Sequence, residues 1–431
     1  MTAALDGMRV LDMTQYEAGT SSTQMLAWLG ADVVKVESPR GDPGRQTFGR
    51  GTDDSQYFLN YNSNKRSIVL DLKQPRGREL LLELAERFDV FVENFGPSAV
   101  EKLGIDYAAL SARNSQIIYA QIKGYGLSGP YAQYNCFDPL AQAAAGAFSI
   151  TGMPGGPPIK PGPTIADTGT GMQVALAITA AWVQRLRDGA GQHIEVSMQE
   201  AMTMFMRTTG VPEWAAQPAP RRGINQGPPS GMYPCAPGDP NDYVHMLIAT
   251  SEQWDALCVA IERPDLLEDS RFASGRLRRD NADELRVELE RWTTAHTKHD
   301  AMRILCEAGV PASAVFDTMD VFTDPHLNER GFIRQVEHPA EGTITLMDTP
   351  IRMSRSRVEL QPAPVLGADT DAILHGELGL TREEIDALHR EGVVHTRNRP
   401  TGNGQTENGQ TGNGATSTAV ETGERGQSSG D

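Results

Sequence analysis

Cysteine is scarce in this chain of 431 residues, and no long apolar run is present. The longest apolar stretch, 174–183, is about half the roughly 20 residues that a membrane-spanning helix needs, so we expect no membrane insertion. The cysteines lie far apart, so neither a CxxC metal motif nor a dense disulfide framework is available. We interpret all four as reduced thiols: Cys136, Cys235, Cys258 and Cys306.

Positively charged residues are also fewer than negatively charged ones. The chain has 39 Lys and Arg residues against 56 Asp and Glu residues, which gives a formal net charge of −17. Because a phosphate backbone is bound by clustered Lys and Arg and no run of five basic residues occurs, we expect no nucleic-acid partner. The N-terminal segment, MTAALDGMRVLDMT, lacks a basic stretch followed by an uninterrupted apolar one. This argues against a secretory signal and predicts a cytoplasmic protein.

Strand-like and helix-like segments alternate through the first part of the chain. Short apolar runs at 9–13, 32–37 and 90–92 predict strands, and the apolar spacing in 76–88 predicts a helix. Strands that alternate with helices imply a parallel sheet covered on both faces. We therefore predict an α/β fold with a doubly wound parallel sheet in a large domain, accompanied by a smaller domain.

Changes in composition predict the domain boundaries. The alternating pattern places the large domain in residues 1–214, and the Pro, Gly and Arg content of 215–240 predicts a crossover linker. Residues 241–324 then form the small domain. Residues 397–431 contain almost no large apolar side chain and cannot offset the entropy cost of ordering, so we predict a disordered tail.

Two familiar motifs occur without the context that their function requires. Residues 124–129 fit GxGxxG, but Pro130 follows and no helix is predicted to hold a pyrophosphate, so we interpret the motif as a loop. Residues 426–430 fit GxSxG but lie in the predicted tail. The sequence contains no GxxxxGK[ST], HExxH or EF-hand pattern, and we predict no bound metal.

Carboxylates remain as candidates for chemistry, and Asp167 is the most informative of them. It lies in the stretch TIADTGTG, directly before a strongly predicted helix at 168–187, where the helix dipole would keep it ionised. The small residues Gly169 and Gly171 predict that a bulky substrate can approach it. From the residues alone, an ordinary N-cap aspartate remains the competing interpretation.

A longer series of motifs carries a family resemblance. From about residue 5 to 395 the order is LDGMRVLDMTQYEAG, QMLAWLGADVVKVESPRGD, NSNKRSIVLDLK, DVFVENFGPSAVEKLG, IIYAQIKGYGLSGP, ADTGTG and LGADTDAILHGELGL. The chain resembles the family III CoA-transferases, the group of formyl-CoA:oxalate and crotonobetainyl-CoA:carnitine CoA-transferases. The resemblance implies a large domain built from both chain ends, with residues 325–396 returning to it, and an interlocked homodimer.

The resemblance also implies a chemistry and a set of site residues. Asp167 would be the nucleophile that attacks an acyl-CoA, giving a mixed anhydride and then an aspartyl-CoA thioester, with Glu17 and Asp138 as supporting acids. The substrates would be a CoA thioester and a free carboxylic acid, and no permanently bound cofactor would be needed. CoA would be held near its pantetheine by Gln15, Tyr16 and Ala18, and near its adenine and phosphates by Arg40, Leu70, Lys73, Asn94, Phe95, Ala99 and Lys102.

Three departures from the family pattern concern the substrate. Related α-methylacyl-CoA racemases carry a His where this chain has Phe137, and an apolar ring cannot abstract an α-proton. The formyl-CoA enzymes have a Gln where this chain has Glu17, and we predict that Glu17 is protonated when substrate is bound, because neighbouring acids repel its charge. Their glycine run is replaced by residues 223–231, GINQGPPSG, which argues against oxalate as the acceptor.

Three readings therefore stay open at this point. The first is a CoA-transferase whose acceptor is a small dicarboxylate or a hydroxy acid. The second is an acyl-CoA racemase or epimerase on the same fold, which would exchange an α-hydrogen with solvent. The third is a CoA-binding protein in which Asp167 only caps a helix, so that CoA binding would survive Asp167→Ala.

Overall fold

The computed structural model describes residues 2–49, 54–209, 215–223 and 227–397. Apart from its first residue, the predicted disordered tail lies outside this range, as do residues 224–226 of the stretch that replaces the glycine run. The strands of the described part are β1 (Arg9–Asp12), β2 (Asp32–Glu37), β3 (Arg66–Leu70), β4 (Val90–Glu93), β5 (Ile118–Lys123), β6 (Gln192–Ser197), β7 (Gly231–Pro234), β8 (Tyr243–Met246), β9 (Ala312–Ala314), β10 (Ile333–His338), β11 (Gly342–Met347) and β12 (Val394–His395).

The α-helices of the described part connect these strands in chain order. They are α1 (Ala18–Trp28), α2 (Gln56–Tyr61), α3 (Pro75–Ala85), α4 (Ala99–Leu103), α5 (Tyr107–Arg113), α6 (Asp138–Ala144), α7 (Ala147–Ile150), α8 (Ile165–Asp188), α9 (Met198–Thr203), α10 (Ser251–Ala260), α11 (Gly275–Asp280), α12 (Ala282–Thr293), α13 (Lys298–Glu307), α14 (Thr318–Thr323), α15 (Pro325–Glu329), α16 (Thr370–Leu378) and α17 (Arg382–Arg390). None of the helices in the described ranges is both long and apolar enough to cross a membrane.

A seven-stranded sheet forms the centre of the fold, in the order β12-β3-β2-β1-β4-β5-β6. All neighbouring pairs are parallel except β12 with β3, which is antiparallel. The strand at 32–37 has the predicted bounds, and the other strands predicted in the first hundred residues lie within a residue of theirs. The prediction of an α/β fold with a large parallel sheet is confirmed.

Alternate residues of each strand pack into two different cores. Leu11 and Phe91 contact the helices on one face, among them α3, α5, α16 and α17. Val10 and Val90 point to the opposite face, where α1 and α8 pack. Because successive side chains of a strand point to opposite faces, a run of apolar residues serves both cores at once. This explains why these strands appear in the sequence as continuous apolar runs.

The C-terminal part of the described chain returns to this sheet. Val394 of β12 pairs with Leu70 of β3, and Ile373, Leu374 and Ile385 are buried in the same core as α3. Between the two sheet-forming parts, β7, β8 and β9 make an antiparallel sheet whose core includes Trp254, Leu285 and other residues of α10 and α12. Strand β7 starts inside the stretch predicted as a linker. The exact domain boundaries and the interlocked homodimer stay predictions.

Candidate active site

The site lies where the order of the sheet reverses. From β1 the chain proceeds to β2 and β3 on one side, and from β4 to β5 and β6 on the other. In open α/β sheets, the crevice beyond the carboxyl ends of the strands at such a point is where ligands bind. The segments that follow β1 and β4 carry Gln15 and Asn94. Topology therefore brings together two residues that are 79 positions apart.

Reciprocal hydrogen bonds fix these two segments to each other. The Gln15 backbone N–H donates to Asn94 Oδ1 at 2.8 Å, and Asn94 Nδ2 donates to the Gln15 carbonyl oxygen at 2.8 Å. The next residue, Tyr16, has a φ of 58°, a left-handed conformation that non-glycine residues rarely adopt. Its N–H donates to Asp42 Oδ1 at 3.2 Å. The loop that precedes α1 is thus held in a strained but well-supported conformation.

A cavity of about 350 Å³ opens at this loop. We call it the Asp167 cavity, because Asp167 is one of the residues that line it. Seven of the residues predicted for the site line it together: Gln15, Tyr16, Glu17, Ala18, Asn94, Phe95 and Asp167. Asp138 does not line it but lies directly behind Asp167, on α6.

The local structure at Asp167 differs from the prediction. Helix α8 begins at Ile165, so Asp167 occupies the third helical position and is not the N-cap. The free N–H groups of this first turn are taken by Asp138, whose Oδ1 accepts from the N–H of Ala166 at 3.0 Å and of Asp167 at 3.3 Å. A capping carboxylate from another helix therefore leaves the side chain of Asp167 unused for structure.

The electrostatics of Asp167 correct a second expectation. Burial, together with the charges of Glu17 and Asp138, raises the pKa of Asp167 to about 8. No hydrogen bond from a described residue stabilises its carboxylate. The sequence led us to expect that the helix dipole keeps it ionised. That prediction is wrong for the free site, because desolvation and two like charges outweigh a helix dipole, whose effect is about 0.3–1 kcal/mol at an exposed site.

Glu17 is buried beside it and is held by two hydroxyl groups, one from the residue before α8 and one from its first turn. Its Oε1 accepts hydrogen bonds from Thr164 Oγ1 at 2.5 Å and from Thr168 Oγ1 at 2.8 Å. Burial raises the pKa of Glu17, and the charge of Asp138 adds to this, while hydrogen bonds from the threonines and from Tyr61 oppose it. The direction is the one that the predicted protonation of Glu17 needs, and protonation in the substrate complex stays a prediction.

Gly169 and Gly171 have a different role from the one predicted. A Cβ atom on Gly169 would lie 2.5 Å from the ring of Phe205, and one on Gly171 would lie 2.1 Å from Ser21 Oγ. Both glycines are buried. They allow α8 to approach α1 and the segment after α9 closely, and they do not provide open space for a substrate.

A second cavity, of about 770 Å³, adjoins the first and shares Gln15 and Phe95 with it. We call it the Lys73 cavity. It is lined by Arg40, Leu70 and Lys73, which were predicted to lie near the adenine and phosphates. The two remaining residues of that prediction, Ala99 and Lys102, lie on α4 and line neither cavity.

Buried ion pairs stabilise the walls of both cavities. Lys35 pairs with Asp42 at 2.8 Å, and Arg45 pairs with Glu37 at 2.7 Å, with all four side chains almost completely buried. Under Phe95, Lys123 Nζ lies 2.9 Å from Glu93 Oε1. Neither these pairs nor the contacts of Glu17 with Tyr61, Thr164 and Thr168 were found from the sequence, since no local motif indicates a pairing between distant segments.

Comparison with known proteins identifies the family. The pattern of CoA-transferase family III matches residues 5–370. The chain belongs to this family. It is 39% identical over 412 residues to the formyl-CoA:oxalate CoA-transferase of Streptomyces coelicolor, which covers 91% of this chain and 100% of that protein. The protein of the same name from Rhodopseudomonas palustris is 36% identical over 420 residues, covering 91% of this chain and 98% of that protein. The chain is thus a CoA-transferase, as the resemblance implied.

Solved structures agree with this assignment. A CAIB/BAIF family protein from Brucella suis superposes with a TM-score of 0.79 at 32% identity, covering 88% of this chain and all of that one. The Rv3272 protein from Mycobacterium tuberculosis superposes with a TM-score of 0.74 at 31% identity, covering 86% of this chain and 98% of that one. The fold of the CoA-transferase is therefore shared along most of its length.

The racemase alternative gains no support from this site. Phe137, at the position where the racemases carry a His, is 56% exposed at the wall of the Asp167 cavity and packs edge-on against Tyr16, with ring centroids 6.0 Å apart. The discarded GxGxxG stretch forms a loop in the structure, as predicted. Within the described part of the CoA-transferase, no group of three or more His, Cys, Asp or Glu residues could hold a metal ion.

Proposed function

We propose that this CoA-transferase moves CoA from an acyl-CoA to a free carboxylic acid with Asp167 as a covalent nucleophile. The Asp167 carboxylate attacks the thioester carbonyl of the donor, and CoA leaves as a thiolate, which gives a mixed anhydride. The thiolate then attacks the aspartyl carbonyl, so that the donor acid leaves as its carboxylate and an aspartyl-CoA thioester remains.

The second half repeats these steps in reverse. The acceptor carboxylate attacks the aspartyl thioester and displaces the CoA thiolate, which forms a new mixed anhydride. The thiolate then attacks the acceptor's acyl carbon, which releases the new acyl-CoA and regenerates the Asp167 carboxylate. Each step breaks one acyl bond and makes another of similar energy, so the exchange needs no external energy source.

One observation carries this proposal. Asp167 lines a cavity and its carboxylate accepts no hydrogen bond from a described residue, while Asp138 behind it is fully engaged with the helix N-terminus and with Gln142. An aspartate that only caps a helix would be bonded as Asp138 is. The adjoining Lys73 cavity offers Arg40 and Lys73 for CoA phosphates.

Two lines of support point to different acceptors. The relatives at 34–39% identity are named formyl-CoA:oxalate CoA-transferases, which makes formyl-CoA and oxalate the first pair to assay. The absence of their glycine run from the sequence favours a different small dicarboxylate or a hydroxy acid. A panel of CoA donors, including succinyl-CoA, against oxalate and these acids distinguishes the two, because the correct pair gives the highest kcat/KM.

Mass spectrometry of the Asp167 peptide tests the covalent step. The protein is incubated with each acyl-CoA and quenched with hydroxylamine, which converts an aspartyl anhydride or thioester to a hydroxamate. We expect label on Asp167 in the wild type and none in Asp167→Ala. A control variant, Asp6→Asn at an exposed position, keeps the label. Turnover without any label on Asp167 would contradict the proposal, and solvent deuterium in the acyl-CoA would support the racemase.

We also propose that the enzyme is a cytoplasmic homodimer. Helix α8 carries exposed apolar side chains along its length, among them Met172 at 54%, Leu176 at 70% and Leu186 at 68% exposure. An exposed apolar row of this kind is typical of a surface covered by another chain. Light scattering after size-exclusion chromatography tests this by giving twice the mass of one chain.

A further inference from the structure

A third cavity lies at the C-terminal end of α1, away from the reacting groups. Its volume is about 350 Å³, and it shares no lining residue with the Asp167 cavity or the Lys73 cavity. Its walls come from the end of α1, the turn before β10 and the segment 348–358. We call it the arginine cavity, because four arginines line it: Arg330, Arg334, Arg352 and Arg357.

This concentration of positive charge stands out in a chain of net charge −17. Arg334 is compensated, since it lies 3.7 Å from Asp348 and 3.2 Å from Glu359. The other three arginines form no ion pair with any carboxylate of the described residues. Glu329 and Asp348 also line the cavity, so its four arginines outnumber its two carboxylates. The three arginines that form no ion pair favour an anion, and their planar donors match phosphate oxygens.

The segment that carries two of these arginines is fixed in place. A guanidinium nitrogen of Arg352 donates to the backbone carbonyl of Arg330, which joins two walls of the cavity. A β-bridge between Met353 and Ser356 closes a tight turn, and Ser356 Oγ accepts from the N–H of Ala4 at 2.7 Å. The cavity is therefore built by contacts between three distant parts of the chain.

One part of the remaining wall is apolar. The indole N–H of Trp28 already donates to Ser63 Oγ at 3.1 Å, so Trp28 has no hydrogen-bond donor left for a ligand. Leu29, Ile351 and Met353 continue this surface. A ligand that fits both walls has an anionic part and an aromatic or apolar part.

We propose that the arginine cavity binds a small phosphate-bearing molecule with an aromatic ring, of the nucleoside diphosphate class. The phosphates contact the unpaired arginines, and the ring lies on Trp28. The site is separate from the chemistry but connected to it, because α1 spans 11 residues, about 16 Å, from Ala18 in the Asp167 cavity to Trp28 here.

Titration calorimetry with ADP on the full-length chain tests this proposal. Because ADP also resembles part of CoA, the titration is made in the Lys73→Ala variant, which weakens the Lys73 cavity. We expect ADP still to bind to the Lys73→Ala variant. It should bind about tenfold more weakly when Arg352→Gln and Arg357→Gln are added to that variant. Arg355→Gln is the matched control, since Arg355 is exposed on the same turn but does not line the cavity.

Each other outcome overturns the proposal. Loss of ADP binding in Lys73→Ala alone assigns the nucleotide to the Lys73 cavity. Equal weakening by the control variant shows a general charge effect. Pyrophosphate that binds as tightly as ADP removes the aromatic part of the proposal. A change from dimer to monomer in the Arg352→Gln and Arg357→Gln variant, seen by size-exclusion chromatography, shows that these arginines contact a second copy of the chain instead.

Discussion

The Asp167 cavity and the Lys73 cavity share two residues but differ in how they treat charge. In the Lys73 cavity, Glu37 and Asp42 are each paired with a buried cation, which leaves Arg40 and Lys73 exposed for a ligand. Around Asp167, the acids Glu17 and Asp138 raise its pKa, and no cation of the described residues compensates this proposed nucleophile.

This difference suits the Lys73 cavity to ligand binding and the Asp167 cavity to a reaction. A charge-compensated cavity is ready to bind, because its buried acids are already held in ion pairs. In a cavity with uncompensated acids, the proposed nucleophile Asp167 is protonated at neutral pH and must lose its proton before it can react. Burial near the acids makes Asp167 reactive once ionised, at a cost in folding free energy.

The largest effect should come from replacing Asp167, the proposed nucleophile. In Asp167→Asn we expect kcat to fall on the order of 10⁴-fold, because an amide cannot form the anhydride, while the Kd for CoA stays within about threefold. Steady-state kinetics and titration calorimetry measure the two quantities. If binding were lost together with turnover, the separation between the two cavities would be wrong.

The pH dependence of kcat/KM should follow the ionisation of Asp167 and its coupling to Glu17. Since Asp167 must be ionised to attack and its pKa is about 8, kcat/KM should rise about tenfold between pH 7 and 9 and then level off. In Glu17→Gln one of the repelling charges is absent, so the rise should move to lower pH. An unchanged profile in Glu17→Gln would show that Glu17 is not coupled to the nucleophile.

A substitution in the Lys73 cavity should change the KM for acyl-CoA. We expect Lys73→Ala to raise the KM for acyl-CoA about five- to tenfold with kcat unchanged, because a charge-assisted contact to phosphate is lost. Lys102→Ala serves as the comparison, since the family resemblance predicts a CoA contact for Lys102 but the structure places it outside both cavities. A larger effect in Lys102→Ala would move the phosphate site to α4.

The smallest effect concerns stability. Folding raises the pKa of Asp167 from 3.8 to about 8, so its contribution to stability is fully present below pH 3.8 and is lost as the pH rises through about 8. Asp167→Asn carries no such loss and should exceed the wild type in free energy of unfolding by about 1–3 kcal/mol at pH 8.5, and by less at pH 5. Denaturant unfolding at both pH values measures this difference.

The parts of the fold that local pattern determines were predictable. The strand at 32–37 and the position of Gln15 after β1 follow from apolar runs and from the breaks between them. Phe137 was informative because a single residue type decides whether an α-proton can be removed. The family resemblance supplied the role of Asp167, which the residues alone left undecided between cap and nucleophile.

The remainder depended on contacts between distant segments. That Asp138 would cap α8 and free Asp167 requires the relative placement of two helices whose residues are 28 and 29 positions apart. The threonines that hold Glu17 are 147 and 151 positions away from it. Gly169 and Gly171 suggested open space in the sequence, and only the neighbouring helix and ring show that they permit close packing.

The pairing of β12 with β3 has a consequence for how the protein is made. Leu70, at the end of β3, lines the Lys73 cavity, yet the strand beside it is contributed by residues 394 and 395. While the ribosome synthesises the chain, the edge of β3 stays unpaired until residues 394 and 395 of β12 have emerged. An open strand edge recruits other strands, so a nascent or truncated chain is exposed to aggregation at the wall of the Lys73 cavity.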